Sequence, residues 1–118
     1  MRTHNLSKKV YTLLNEAKLD LEHKSFNKAA SAAYFAARMA LEDFLAFLKT
    51  PIPRRDDKLI HVLVNLGHVD AAQILEELYI LRKKADYDRS EVTQRDAERA
   101  LSLATQFVSS VESFHTKW

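Results

Sequence analysis

The sequence predicts an all-α fold, an antiparallel bundle of four long helices plus one short helix, on three observations. Only one Gly and two Pro occur in 118 residues, too few turn formers for a many-stranded protein. Apolar residues recur at three- and four-residue spacing along five stretches, which places them on single helix faces. The breaks between these stretches carry helix punctuation, with Ser25, the Pro51 and Pro53 pair, Gly67 and Thr93 each at a boundary.

The first helix is expected from about Asn5 to Lys24, with Leu6, Val10, Leu13, Leu14, Ala17 and Leu21 on its apolar face. Ser25 is the expected N-cap of the second helix, since its hydroxyl can accept from one of the unpaired amides that open every helix. The connection is nearly absent, so the two should form an antiparallel hairpin.

The second helix, about Phe26 to Lys49, holds the core. Phe26, Ala30, Ala33, Ala37, Leu41, Phe44 and Leu48 form its main stripe, and Ala29, Ala32, Ala36 and Ala40 widen a small-residue surface that lets neighbouring backbones approach closely. Tyr34, Phe35 and Met39 add bulk on an adjoining strip. A helix apolar over so much of its girth is either central in the bundle or covered by a second copy of the chain.

Lys49 to Arg55 breaks the pattern with two prolines and is the one real loop. A short third helix should run from Asp56 or Asp57 to Leu66 and stop at Gly67. Asp70 and Gln73 resemble a capping box that opens a fourth helix with Ala71, Ile74, Leu75, Leu78, Arg82 and Ala85 on one side. Thr93 should cap a fifth, where Ala97, Ala100, Leu101, Ala104, Val108, Val111 and Phe114 repeat at helical spacing.

A single domain over residues 1–118 is the natural count for this length. The absence of cysteine excludes disulfides, Cys-based zinc sites and a thiol nucleophile. Five histidines, at 4, 23, 61, 68 and 115, show neither i,i+4 pairing nor a His-Glu-x-x-His run, so no metal site and no cofactor is expected. A net charge of +2, from 18 basic and 16 acidic residues, is too balanced to mark a dedicated nucleic-acid binder. Arg38, Glu42 and Asp43 interrupt the longest apolar stretch, so no membrane span is expected, and the amino terminus lacks the apolar centre of a secretion signal. A cytoplasmic protein is the expectation.

Arg82 is the anomaly. It continues the stripe of Ile74, Leu75 and Leu78, so a guanidinium points where a core side chain is expected, with Asp86 and Tyr87 about one turn further on. Its bland reading is a last-turn cation that complements the helix dipole and covers apolar surface with its stem. Arg82, Asp86 and Tyr87 are the candidate ligand-binding residues. A second candidate, a phosphate-contact patch, gathers Lys49, Arg54, Arg55 and Lys58 around the proline loop; without an interleaved aromatic to stack on bases, solvation is its bland reading.

The Ala-rich helix, Ala-Ala-Ser-Ala-Ala-Tyr-Phe-Ala-Ala-Arg-Met-Ala-Leu at 29 to 41, followed in order by Arg-Lys-Lys-Ala-Asp-Tyr-Asp at 82 to 88, resembles the HEPN domain family of small helical bundles over nearly the whole chain. The resemblance implies a homodimer, often a minimal nucleotidyltransferase as gene-neighbour partner, and in many members metal-independent RNA cleavage. Cleaving members bring an Arg and, after four to six intervening residues, a His together with their copies across the dimer. There the Arg neutralises phosphate and the His moves the proton of a ribose 2′-hydroxyl. Here Arg82 is present, but positions 87 to 89 read Tyr, Asp and Arg. Tyrosine, with an unperturbed pKa of about 10, is a poor general base at neutral pH.

Three functions follow as expectations. The first is a dimeric binding module, toxin–antitoxin or nucleotidyltransferase associated, that takes nucleotide, RNA or a protein partner near Arg82 to Tyr87 without efficient ribonuclease activity. An endoribonuclease toxin using Arg82 with Asp86 or Tyr87 is the alternative from enzyme chemistry. A purely structural oligomerisation bundle is the third.

Overall fold

The computed structural model describes residues 6–87 and 91–116, with residues 87, 115 and 116 described by their backbone alone. Among these residues there are five helices and no strands: α1 (Lys8–Glu22), α2 (Phe26–Phe47), α3 (Asp56–Asn65), α4 (Val69–Tyr87) and α5 (Gln94–Thr116). The all-helical fold read from the apolar spacing is the one observed. None of the helices is long and apolar enough to cross a membrane.

The same backbone device stops three of the helices. After α1, Lys24 turns to φ +62°, the Lys24 N–H donates to the Leu21 carbonyl and the Ser25 N–H reaches back to the Asp20 carbonyl at 2.8 Å. After α2, Lys49 takes φ +58°, with Lys49 bonded to Ala46 and Thr50 to Leu45; after α3, Gly67 takes φ +89°, with Gly67 bonded to Val64 and His68 to Leu63. These are Schellman closures, which satisfy the carbonyls a helix end leaves open and need one left-handed residue. Glycine supplies it once, without strain, and lysine twice, at a backbone cost.

That device accounts for where the boundaries differ from the sequence reading. Helix α2 stops at Phe47 rather than Lys49 because Lys49 is the left-handed residue. Ser25 does not cap α2 with its hydroxyl. It is already the last residue of the α1 closure, at φ −89° and ψ 72°, and only its carbonyl enters α2, accepting from the Ala29 N–H at 2.9 Å. Helix α1 begins at Lys8 because Ser7 is still extended, its N–H donating to Asp43 Oδ2 at 2.9 Å. Helix α4 starts at Val69, with the His68 carbonyl accepting from the Ala72 N–H, so Asp70 lies inside the first turn rather than at the cap.

Helix α2 is the central element, lying against α1, α4 and α5. Ala29, Ala30, Ala33, Ala36, Ala37 and Ala40 are fully buried along it, together with Tyr34, Leu41, Phe44 and Leu45. Alanines at the seams permit close helix approach, and bulk then enters from the neighbours. Helix α4 brings Leu75 and Leu78, and α5 brings Ala97, Ala100, Ala104, Phe107 and Val111. Phe107 and Leu103, rather than Leu101, continue the buried stripe of α5, a rotation small enough that the predicted face is otherwise correct. The backbone of α3 comes close to that of α4 and of no other helix, and its Leu59 and Leu63 enter the shared core.

Candidate functional site

The site grows from the packing of α4 on α2. Arg82 stands on the apolar stripe of α4, one turn beyond the fully buried Leu78, and its side chain therefore heads into the α2 wall rather than into solvent. There the guanidinium carbon lies 4.8 Å from the Phe35 ring centre and 5.3 Å from that of Tyr34. Two aromatic faces hold the cation, each contact worth about 0.5–1 kcal/mol where water still reaches it. Arg82 Nε donates to Asp86 Oδ2 at 3.0 Å, and Asp86 Oδ1 accepts from the Ser31 hydroxyl at 2.9 Å. The predicted pair of Arg82 and Asp86 is thus brought together, and its side chains keep only 20 % and 31 % exposure. Tyr87 ends α4, and its side chain lies outside the described residues.

A second arginine, on α2, completes the cluster. Arg38 interrupts an otherwise apolar stretch of α2, and its guanidinium is fully used: Nε donates to Glu42 at 3.0 Å, Nη1 to Asp56 Oδ1 at 2.6 Å and Nη2 to the Arg54 carbonyl at 2.8 Å. This ties the proline loop and the first residue of α3 to the middle of α2. Asp56 is shared, for its Oδ2 lies 3.7 Å from Arg82 Nη1. One carboxylate therefore offers one oxygen to each of two guanidiniums. Burial raises the Asp56 carboxyl above 3.8, against the downward pull of Arg82, and Asp57 next to it adds to the rise. Tyr34, whose ring borders Arg82, carries a buried hydroxyl with no hydrogen-bond partner among the described residues.

The carboxyl end of α4 is fixed from two sides. Asn27 Nδ2 donates to the Ala85 carbonyl at 3.2 Å, while Asn27 Oδ1 accepts from the Val92 N–H at 3.2 Å, so one amide spans the exit of α4 and the approach to α5. Lys84 Nζ donates to Asp96 Oδ2 at 2.9 Å. Asp96 and Thr93 also form the cap of α5 reciprocally, with Asp96 N–H on the Thr93 hydroxyl and Thr93 N–H on the Asp96 carboxylate. Lys84 first, and this cap after it, hold the Asp96 carboxyl below its usual 3.8.

The four residues of the second candidate, Lys49, Arg54, Arg55 and Lys58, are all exposed. Arg55 is turned onto Asp57 through two hydrogen bonds, at 3.1 and 2.7 Å, which lowers the Asp57 carboxyl. Lys49 is the left-handed closure of α2. Among the described residues no group of three or more His, Asp or Glu side chains could hold a metal ion.

Arg38 and Asp56 were legible in the sequence only as a break in an apolar helix and as an acidic helix start. Their pairing spans a loop, and the one local hint is Glu42 at i+4 from Arg38. Ser31 and Asn27 carried no signal.

Two comparisons with known proteins bear on the chain. A family model described as the HEPN domain matches residues 6–114. A Methanocaldococcus jannaschii protein named "Putative toxin MJ0605" is 29% identical over 105 residues, covering 84% of this chain and 78% of its own length.

Proposed function

The chain belongs to the HEPN domain family, and from that premise we propose that it is a toxin-associated, homodimeric binding module that holds RNA or nucleotide phosphate at the Arg82 cleft and does not cleave RNA efficiently. The observation that carries this reading is a guanidinium directed off a core stripe and backed by two aromatic rings, with no histidine within the eight residues from Arg82 to Arg89. A fixed guanidinium is suited to phosphate, and the exposed Phe35 ring beside it suits a stacked base.

The chemistry of cleavage needs a group that takes the proton of the 2′-hydroxyl near neutral pH. Asp86 is the nearest carboxylate on the same helix, and both of its oxygens are already engaged, by Arg82 and by Ser31. Binding without turnover is the function this arrangement supports. The name of the M. jannaschii relative supports placing the module in a toxin system, where a minimal nucleotidyltransferase is the partner class the family implies.

Fluorescence anisotropy with a short unstructured RNA, alongside sedimentation to give the oligomeric state, tests the reading. The parent should bind as a dimer, Arg82→Ala should lose most of the affinity while staying folded, and neither should cleave the RNA in chelator. Equal affinity for the two proteins would sink the proposal, and chelator-resistant cleavage that disappears with Arg82 would replace it by the endoribonuclease reading.

One specific observation favours a structural role for Arg82, namely that Asp86 and Asp56 already supply it with two carboxylates. Under that reading Arg82→Ala lowers the unfolding free energy by about 3 kcal/mol, as removal of one member of a largely buried ion pair does, and RNA affinity never depended on it.

A further inference from the structure

We propose that Arg38 and Arg82 form a two-guanidinium clamp for a phosphodiester, and that Asp56, the first residue of α3, is a built-in competitor that the phosphate displaces. The inference rests on the phosphate-binding reading of the Arg82 cleft and adds to it a second ligand residue and a gate.

The geometry of Asp56 is the starting point. Its Oδ1 takes Arg38 Nη1 at 2.6 Å and its Oδ2 faces Arg82 Nη1 at 3.7 Å. Guanidiniums recognise the paired oxygens of carboxylate and phosphate by the same planar fork, so a group held between two of them in this way occupies a position that a phosphate can fill. The occupant is unequally held, tight to Arg38 and loose to Arg82.

Charge gives the second argument. With Asp56 in place, two guanidiniums face three carboxylates, those of Glu42, Asp56 and Asp86. A cleft with that balance does not attract an anion. Withdrawal of Asp56 removes the excess and frees the inner nitrogens of both arginines. Glu42 and Asp86 stay behind, each an i,i+4 partner that fixes the Nε side of its arginine; Arg38 Nη2 stays on the Arg54 carbonyl, and Nη1 of each arginine is left for the ligand.

The third argument is that Asp56 sits where the chain can move. The backbone of α3 comes close to that of α4 only, and its amino-terminal end is tied to α2 through the Arg38 side chain. The proline loop before it is exposed at Pro51, Ile52, Arg54 and Arg55. A rotation of the Asp56 side chain, with an adjustment of the exposed loop before it, therefore breaks the Arg38–Asp56 contact while Leu59, fully buried in the same first turn, stays in the core.

The test is anisotropy with a fluorescein-labelled oligouridylate on the full chain, comparing the parent with Asp56→Asn, Asp57→Asn, Arg38→Gln and the Asp56→Asn/Arg38→Gln double variant. Asp56→Asn should bind about tenfold more tightly, the order expected when a repulsive carboxylate is removed from an interface. Its affinity should also fall more steeply with salt than that of the parent, by roughly 0.7 in log–log slope for one added phosphate contact on a single strand. Arg38→Gln should erase that gain in the double variant. Asp57→Asn makes the same change of net charge one residue away, on a carboxylate outside the clamp, and should leave affinity near the parent's. A gain with Asp57→Asn equal to that with Asp56→Asn, or one that survives Arg38→Gln, overturns the clamp.

Should Asp56→Asn fail to fold, the parent alone decides the matter. Arginine side-chain NMR during a titration with uridine monophosphate should move the Nε signals of Arg38 and Arg82 together, and movement of Arg82 alone overturns the clamp. The two proposals fail separately: binding that depends on Arg82 but not on Arg38 or Asp56 removes only the clamp, whereas absence of RNA binding in every variant removes both.

Discussion

Arg38 Nη1 meets Asp56 Oδ1 at 2.6 Å between side chains that keep only 17 % and 15 % exposure. The ion pair joins the middle of α2 to the start of α3, two helices whose backbones do not otherwise touch. Arg38→Ala leaves a largely buried carboxylate without its closest partner, so it should lower the unfolding free energy by about 2–4 kcal/mol. Adding Asp56→Ala should recover part of that loss, because no uncompensated charge then remains. Urea denaturation of the two single variants and the double variant gives the coupling, and additive losses would show that the pair contributes nothing beyond its separate members.

The lysine closures can be improved. Lys24 and Lys49 hold φ of +62° and +58°, a conformation that costs a residue with a Cβ about 1 kcal/mol or more. Lys24→Gly and Lys49→Gly should each raise the melting temperature, for a gain of about 0.5–1 kcal/mol. Gly67→Ala should do the reverse by about 1 kcal/mol. A Cβ built at Gly67 meets nothing within 4 Å, so the whole effect is backbone strain.

Tyr11 offers a spectroscopic check on how α1 meets α5. Its hydroxyl donates to the Glu112 carboxylate, and burial, then that hydrogen bond and the nearby negative charge, push its pKa from 10.0 up to about 12. A raised folded value favours the protonated form, so the contribution to stability is whole below pH 10 and is lost as pH rises towards 12. Ultraviolet titration of the folded protein should show the Tyr11 phenol among those that ionise late. Tyr11→Phe should remove one phenol from the late step, and a Glu112→Gln variant that leaves the late amplitude and midpoint unchanged would assign it elsewhere.

Acid should weaken the α4–α5 junction. The Asp96 carboxyl is held below 3.8 by Lys84 and by the Thr93 cap, so the folded state prefers it ionised. Its contribution is therefore present above that value and disappears as pH falls through the lower folded one. Asp56 acts with the opposite sign, since its raised pKa gives a contribution that is whole below 3.8 and lost as pH rises through its folded value. Lys84→Met should flatten the acid limb of the stability–pH curve, measured by urea midpoints across that range. Thr93→Ala should cost about 1 kcal/mol at neutral pH.

Much of this was readable from spacing, and the limits have physical causes. Helix order, the wide apolar girth of α2 and the inward register of Arg82 follow from period and composition, which are local properties of the chain; whether neighbours or a second copy cover α2 did not. The Thr93 cap was also legible, because a cap is decided within one turn. Ser25 misled for a related reason: a hydroxyl at a helix start looks like a cap, but here the residue also closes the preceding helix, and the closure fixes its backbone first. Arg38 was hidden because its partners, Asp56 and the Arg54 carbonyl, lie beyond a loop whose path no periodicity encodes. Lys24 and Lys49 likewise sit where glycine is the usual signal, so the closures were invisible in composition.

The alanine seam of α2 carries a consequence for how the molecule is made. One flank of that seam is covered by α5, which follows α3 and α4 in the chain. During synthesis from the amino terminus, α1 and α2 can pair at once, yet the opposite flank stays wet while the whole of α3 and α4 is being added. Nascent chains arrested before Gln94 should therefore be sticky and sensitive to protease, and those that include α5 should become resistant in one step, which places the commitment to the finished protein late in translation.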